Sequence, residues 1–179
     1  FTSGGGETAL YKSSDGGDTW TKLSGAGNTR GLPRTPMDRI GVSVHRANPD
    51  VGYMITETVD EGELWRTEDG GSTWKVVSYD RNAMGRTHYY SHVFVAPDNE
   101  NETYFLTAGY SVSLDGARTL TAQTGLATPG GDNHDMWIDP TNPKRMIVGN
   151  DGGPSVSLNR GRSWVRYRLA NAQIYHVTV

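Results

Sequence analysis

Apolar and polar residues alternate with a period of two along most of the chain, and no stretch of ten residues carries a helical period. That pattern predicts an all-β protein. Predicted strands run over Ala9–Ser13, Thr19–Leu23, Ile40–His45, Gly52–Thr58, Leu64–Thr67, Thr73–Ser78 and Ser91–Ala96. They continue over Thr103–Ala108, Tyr110–Ser113, Met136–Asp139, Arg145–Gly149, Ser155–Ser157, Ser163–Tyr167 and Tyr175–Val179. Clusters of Gly, Asn, Asp and Pro lie between them, where tight turns need positive φ or a fixed Pro φ.

The pattern also repeats at long range. Ser13-Ser14-Asp15-Gly16-Gly17-Asp18-Thr19-Trp20 returns as Thr67-Glu68-Asp69-Gly70-Gly71-Ser72-Thr73-Trp74, 54 residues on. Two looser copies follow at spacings of 46 and 44: Ser113-Leu114-Asp115-Gly116-Ala117-Arg118-Thr119-Leu120 and Ser157-Leu158-Asn159-Arg160-Gly161-Arg162-Ser163-Trp164. A second repeated element supports the first. Asn48-Pro49-Asp50, Pro97-Asp98-Asn99 and Pro140-Thr141-Asn142-Pro143 each close one apolar strand before another opens. One unit therefore reads as strand, Pro-Asn turn, strand, short turn, strand, Asp-containing hairpin, strand. A four-stranded unit repeating every 40–50 residues predicts propeller blades.

Composition sharpens this picture in a few places. Gly makes up 23 of 179 residues, about 13% against the usual ~7%, without a collagen-like period. A net charge of −3 with scattered Lys and Arg argues against a nucleic-acid partner. No run approaches 18 consecutive apolar residues, so no transmembrane helix is expected. Cysteine is absent, which removes disulfides, thiolate metal sites and a Cys nucleophile. The chain opens at Phe1 without a leader-like segment, and Ile174–Val179 reads as an unfinished strand. The expectation is thus one partial β-propeller over residues 1–179, about three complete blades plus partial end blades, cut from a longer chain.

The Ser/Thr-x-Asp-x-Gly-x-Thr-Trp frame resembles the Asp-box, or bacterial neuraminidase repeat, of sialidase-type and sortilin-like propellers. Gly131-Asp132-Asn133-His134-Asp135-Met136-Trp137 and Gly149-Asn150-Asp151-Gly152-Gly153, with Ala172–Val177, resemble bacterial exported proteins of glycosyl-hydrolase-like repeat type. The resemblance covers nearly the whole chain. It implies an all-β propeller segment of four-stranded antiparallel blades with Asp-box hairpins, and a periplasmic or extracellular location. Members of that superfamily include xyloglucanases, sialidases, sorting receptors and a photosystem assembly factor, so the resemblance fixes no single function. Their Asp-boxes lie at the blade rim, away from the ligand face. That implies a structural role for Ser13, Asp15, Gly17, Thr19, Trp20, Thr67, Asp69, Gly71, Thr73 and Trp74. The same holds for Ser113, Asp115, Thr119, Ser157, Asn159, Gly161, Ser163 and Trp164.

The search for chemistry moves to other residues. A glycosidase needs two carboxylates, about 5 Å apart or about 6.5–9.5 Å apart, and Asp132, Asp135 and Asp151 are the candidates. The competing and preferred reading makes Asp132 and Asp135 turn caps and gives Asp151 the Gly152-Gly153 turn. Glu57, Glu61 and Glu63 read as solvated strand ends. Asp132 and His134 form a candidate metal pair, since strand alternation turns Asp135 away from His134. His88 and His92 read as structural histidines. A sialidase would need an arginine cluster drawn from Arg30, Arg34, Arg39 and Arg86, with Tyr89 or Tyr90 as nucleophile, and nothing in the spacing requires it. Asn101-Glu102-Thr103 is a formal glycosylation sequon. No phosphate loop or Ser nucleophile elbow is present, and no cofactor is expected. Two functions remain open. The first is a non-catalytic binding or scaffold propeller, partnered by further blades or another protein; the second is a glycoside-hydrolase fragment that meets carbohydrate.

Overall fold

The computed structural model describes residues 8–59, 61–80, 83, 89, 92–169 and 172–178. Fourteen strands among these residues form four antiparallel sheets. The first sheet holds β1 (Tyr11–Lys12) and β2 (Thr21–Lys22); the second holds β3 (Gly41–Val44), β4 (Gly52–Ile55), β5 (Leu64–Thr67) and β6 (Lys75–Ser78). The third holds β7 (His92–Ala96), β8 (Asn99–Leu106), β9 (Tyr110–Ser113) and β10 (Thr121–Ala122). The fourth holds β11 (Asn133–Ile138), β12 (Met146–Asn150), β13 (Gly153–Ser157) and β14 (Val165–Arg166). In each sheet the spatial order of the strands follows the order along the chain.

Two expectations need adjusting. β10 has no counterpart in the sequence pattern, because it is two exposed residues held only by pairing to Val112 and Ser111. The expected strand Tyr175–Val179 forms no ladder over residues 175–178: it lies beside β11, but the Val177 N–H goes to the Asp135 side chain rather than to a strand carbonyl. Val179 lies outside the described residues, as do Phe1–Gly6 and the first residue of the expected strand at Ser91.

β3 packs against β7 and β7 against β11, so the first strands of successive sheets stand side by side. This is how blades stand around a propeller axis. Apolar clusters fill the gaps. Tyr53, Ile55 and Leu64 of the second sheet meet Val93, Val95 and Phe105 of the third. Tyr104, Leu106 and Tyr110 meet Met136, Met146, Val148 and Trp164 of the fourth. Leu23 of the first sheet meets Met54, Trp65 and Trp74 of the second. Each fully buried Leu, Ile or Phe contributes about 1.5–3 kcal/mol by leaving water, so the gaps between sheets carry most of the stabilisation.

Because neighbouring strands run antiparallel, each blade has two ends. The turn between its first and second strands shares one end with the Asp hairpin between its third and fourth. Backbone bonds tie the two together: Gly70 N–H to the Asp50 carbonyl, Gly116 to Asn101, and Arg160 to Lys144. Turns between second and third strands, and connections between blades, lie at the other end.

The four hairpins share one bond set. Asp15 accepts the Thr19 N–H at 2.9 Å and its hydroxyl at 2.5 Å, while Ser13 Oγ accepts the Gly17 N–H at 2.8 Å. Asp69 repeats this with Thr73 at 2.8 and 2.6 Å, and Thr67 with Gly71 at 2.9 Å. Asp115 repeats it with Thr119 at 2.9 and 2.7 Å, and Ser113 with Ala117 at 3.0 Å. In the fourth copy Asn159 Oδ1 accepts the Ser163 N–H at 3.0 Å, but its amide donates to Ser163 Oγ at 2.8 Å, and Ser157 takes the Gly161 N–H. Trp20 and Trp74 donate their indole N–H to Gly17 and Gly71. Bonds to Thr19 and Thr73 hold the Asp15 and Asp69 carboxyls below the usual range, Asp69 at about 2. Partial burial works against Asp115, yet the Thr119 bonds prevail and bring it to about 2.

Arg160 occupies the hairpin position held by Gly16, Gly70 and Gly116, and like them has positive φ, at 64°. That conformation costs a residue with a Cβ roughly 1–2 kcal/mol. Its side chain reaches back to the third sheet. The guanidinium donates to both oxygens of Asp98 at 2.9 and 2.7 Å and to both of Glu102 at 2.9 Å. Glu102 is buried and also accepts the Tyr104 hydroxyl.

Candidate functional site

The residues singled out for chemistry gather at the end of the blades away from the hairpins. Asp132 precedes β11 with φ 50°, and its N–H donates to the Ala108 carbonyl at 3.0 Å, as Asn133 does to Thr107. A left-handed turn residue fits an Asp, whose short side chain tolerates that conformation. β11 then contains a bulge. Asn133 pairs with Asn150 and Asp135 with Gly149, which leaves His134 as the extra residue. A bulge re-aims a side chain relative to strict alternation.

Here it turns the buried His134 toward Asp151, with Nε2 and Oδ1 2.6 Å apart. Asp151 sits in the turn between β12 and β13, and its side chain stays 42% exposed. The Gly152 N–H is held by Asn150 Oδ1 at 2.9 Å, so Asn150 and not Asp151 fastens the Gly152-Gly153 turn. Asp135 takes another course: its Oδ1 accepts the Met136 N–H and its Oδ2 the Val177 N–H, each at 2.9 Å. His176 Nδ1 lies 3.8 Å from the same Oδ2.

Two partly exposed tyrosines complete the group. The Tyr175 ring stacks on His134 at 4.0 Å between centroids and 19° between planes. Tyr89 meets His134 edge-on at 6.0 Å, and the two Tyr hydroxyls are 2.8 Å apart. That bond holds Tyr175 protonated above its ordinary range. Arg39 Nη1 donates to the Tyr89 carbonyl at 2.6 Å. His92, at the near end of β7, stacks on Phe94. Burial and then the Arg39 charge lower its pKa to about 4, so it is neutral at physiological pH.

The other sequence candidates fall as follows. His134 spends Nε2 on Asp151, and no group of three metal-ligating side chains occurs among the described residues. Arg30 reaches Ser72 in the second hairpin, at the opposite end from Arg39. Glu61 and Glu63 are not solvated strand ends. Glu61 accepts the Arg34 and Thr35 N–H groups and the Thr35 hydroxyl, and Glu63 is buried. Arg86, His88 and Tyr90 lie outside the described residues. Sequence reasoning missed the His134–Asp151 pair and the Tyr89–Tyr175 contact, since bulges leave no periodic signal. The arrangement offers a half-open carboxylate, held by a buried imidazole and flanked by two aromatic rings with hydroxyls. Such a surface suits a polyhydroxylated ligand, which uses acceptors and flat apolar faces together.

No family model matches the chain. A probable oligoxyloglucan-reducing end-specific xyloglucanase from Neosartorya fischeri is 28% identical over 142 residues, 73% of this chain and 17% of the relative. The chain thus spans about a sixth of that protein. The Niastella koreensis GH74 enzyme superimposes with a TM-score of 0.57 at 19% identity, over 90% of this chain and 26% of its own. An ancestral GH74 enzyme gives 0.58 at 16%, over 89% and 21%. At these identities the structural likeness is one of fold, and that fold is a β-propeller built from four-stranded antiparallel blades.

Proposed function

We propose that the chain is a blade segment of an exported, polysaccharide-acting propeller, and that Asp151 is its reactive-face carboxylate. The observation that carries this reading is the His134–Asp151 pair beside Tyr89 and Tyr175, on the end opposite the hairpins. The likeness to a xyloglucanase supports a β-glucan with xylosyl branches as the polymer. Asp151 ranks above Asp135, whose two oxygens are taken by backbone N–H groups. Asp132 stands at the same end and bears on Tyr175 electrostatically, which makes it the candidate for a second carboxylate. The hairpins are Asp-box fastenings in this reading, and they take no part in the chemistry.

The test is hydrolysis and binding of xyloglucan oligosaccharides by the natural polypeptide, compared with Asp151→Asn and Tyr175→Ala. Asp151→Asn is expected to lose at least about a hundredfold in rate with unfolding stability held within about 0.5 kcal/mol. Tyr175→Ala is expected to weaken binding. A protein that neither binds nor cleaves any β-glucan rules the proposal out. One observation favours the second reading, a non-catalytic binding or scaffold propeller: Asp135 and Asp151 are both engaged within the fold. Binding without hydrolysis, undiminished in Asp151→Asn, selects it.

A further inference from the structure

Asp135 has two oxygens and gives them to two different parts of the chain. Oδ1 accepts the Met136 N–H within β11, and Oδ2 accepts the Val177 N–H from the segment 172–177 that follows the fourth sheet. That segment carries Tyr175, and two bonds flank it. Ile174 N–H donates to the Asn150 carbonyl at 3.2 Å, and Val177 N–H to Asp135 at 2.9 Å. Asn150 also fastens the turn that presents Asp151. The segment is thus tied to the strand that holds His134 and to the residue before Asp151.

The sequence makes room for this segment at one position. Gly149 lies opposite Asp135 in the ladder, and its φ is not positive, so its conformation does not call for glycine. Close approach does. A Cβ at Gly149 would stand 2.7 Å from both the carbonyl oxygen and the Cγ2 of Ile174, closer than real Cβ atoms come to a neighbour. The matching residues are Ile55 and Leu106. Each follows by three positions the partner of a hairpin hydroxyl residue (Gly52 with Thr67, Thr103 with Ser113), as Gly149 follows Met146, the partner of Ser157. Ile55 and Leu106 are fully buried and fill their gaps with side chain. In the fourth sheet Ile174 fills the space instead. The Asp135 bond also has a parallel: Ser43 Oγ of β3 accepts the Val95 N–H of β7 at 3.1 Å. First strands of successive sheets stand side by side without a ladder, so a side chain supplies the acceptor.

We propose that Asp135 and Gly149 form a seat for residues 172–177, and that Asp135 is a positioning residue of the candidate site. It places the Tyr175 ring on His134 and does not meet the ligand. The functional meaning of this role rests on the reading of that end as the glycan-binding face. Tyr175 is 43% exposed, while His134 beneath it is 5% exposed. An aromatic platform is precise only when the residues behind it are locked. With the seat lost, Tyr175 leaves His134 and the imidazole is uncovered on that side.

Proton NMR of the histidine rings tests this without any glycan. The stacked Tyr175 ring shifts the His134 ring protons upfield, and Tyr175→Ala defines their position without it. Asp135→Leu and Gly149→Ala are expected to move the His134 signals to that position. The buried His45, at the hairpin end, is expected to keep its signals and so report an intact fold. If Asp135→Leu disturbs His45 as well, Gly149→Ala decides, since it adds one methyl group on a different strand. His134 signals that stay at their natural position in a folded variant overturn the proposal. On a β-glucan substrate, Asp135→Leu is expected to raise KM about 3–10-fold with kcat little changed, as loss of an aromatic contact does. A loss of kcat as large as that in Asp151→Asn also overturns it, because Asp135 then acts on the reacting atoms. A protein that cleaves no β-glucan sinks the reading of the site and leaves the NMR result to stand by itself.

Discussion

The two ends of the blades hold acidic residues in opposite ways. At the hairpin end, Asp15, Asp69 and Asp115 accept bonds from residues two to four positions away within their own turn. At the other end, Asp151 bonds to a histidine 17 residues away and Asp135 to a backbone N–H 42 residues away. A carboxylate satisfied by its own turn fastens that turn and nothing else. One satisfied across elements has a position set by the whole fold, which a binding surface requires. The hairpin end is repetitive and the other end is unique.

The largest effect is expected where the hairpin end stops being local. Arg160 grips the preceding blade through two carboxylates, and they hold its guanidinium charged. Arg160→Ala leaves Glu102 buried without its partner, and is expected to cost about 3 kcal/mol in urea unfolding. Arg160→Gly loses the same bonds but recovers about 1 kcal/mol from the positive φ. If the two variants cost the same, backbone strain at 160 is not part of the balance.

At the other end His92 should dominate the pH response. Its folded pKa of about 4 lies below the ordinary value of 6.5. Below pH 6.5 the unfolded chain takes up a proton that the folded chain refuses, so stability falls as pH drops from about 6.5 to about 4. The loss is expected to reach roughly 2–3 kcal/mol. Arg39, His134 and His176 oppose the charge on His92 while Asp135 favours it. A His92→Gln variant should flatten that part of the profile, measured as unfolding free energy against pH. An unchanged slope would assign the response to other histidines.

The contrast between ends also explains what the sequence revealed. Bonds spanning two to four residues are written in adjacent letters, so the hairpins were legible down to the hydroxyl and the Asp. Strand alternation likewise made the all-β fold and most strand positions legible. The site was legible only as a list of acidic residues. Its pairings span 17, 42 and, for Tyr89 with Tyr175, 86 residues. The bulge at His134 interrupts the alternation from which its facing was read. Arg160 was hidden for another reason: within a locally bonded hairpin it carries contacts 58 and 62 residues away.

Within the hairpins the expected effects are smaller. Asp115→Ala removes an acceptor shared by Arg118 and Thr119 and should cost about 1 kcal/mol. Folded pKa values of about 2 for Asp69 and Asp115 lie below the unfolded carboxyl range. Their contribution is therefore complete above about pH 4 and lost as pH falls toward 2. That window lies below the one set by His92, so a melting profile from pH 8 to 2 should show two separate declines. A single decline would mean that the two ends unfold through one shared group.

The smallest effect tests whether the fourth hairpin differs from the rest only in chemistry. Asn159 keeps the Oδ1 bond to the Ser163 N–H but donates to the hydroxyl that an Asp would accept from. In Asn159→Asp the Ser163 hydroxyl has only to rotate, and no heavy atom needs to move. The new carboxylate bonds are charge-assisted and stronger than the amide ones, so stability at pH 7 should rise by up to about 1 kcal/mol. The sign with pH follows from the other copies. A carboxyl with its pKa depressed toward 2 gives up its contribution as the pH falls, so the gain over Asn159 should shrink from pH 4 downward and vanish near pH 2. Urea midpoints of the two proteins at pH 7 and near pH 2 decide the matter. A gain that survives at the lower pH comes from something other than the carboxylate, and the fourth turn would then differ from the others in shape.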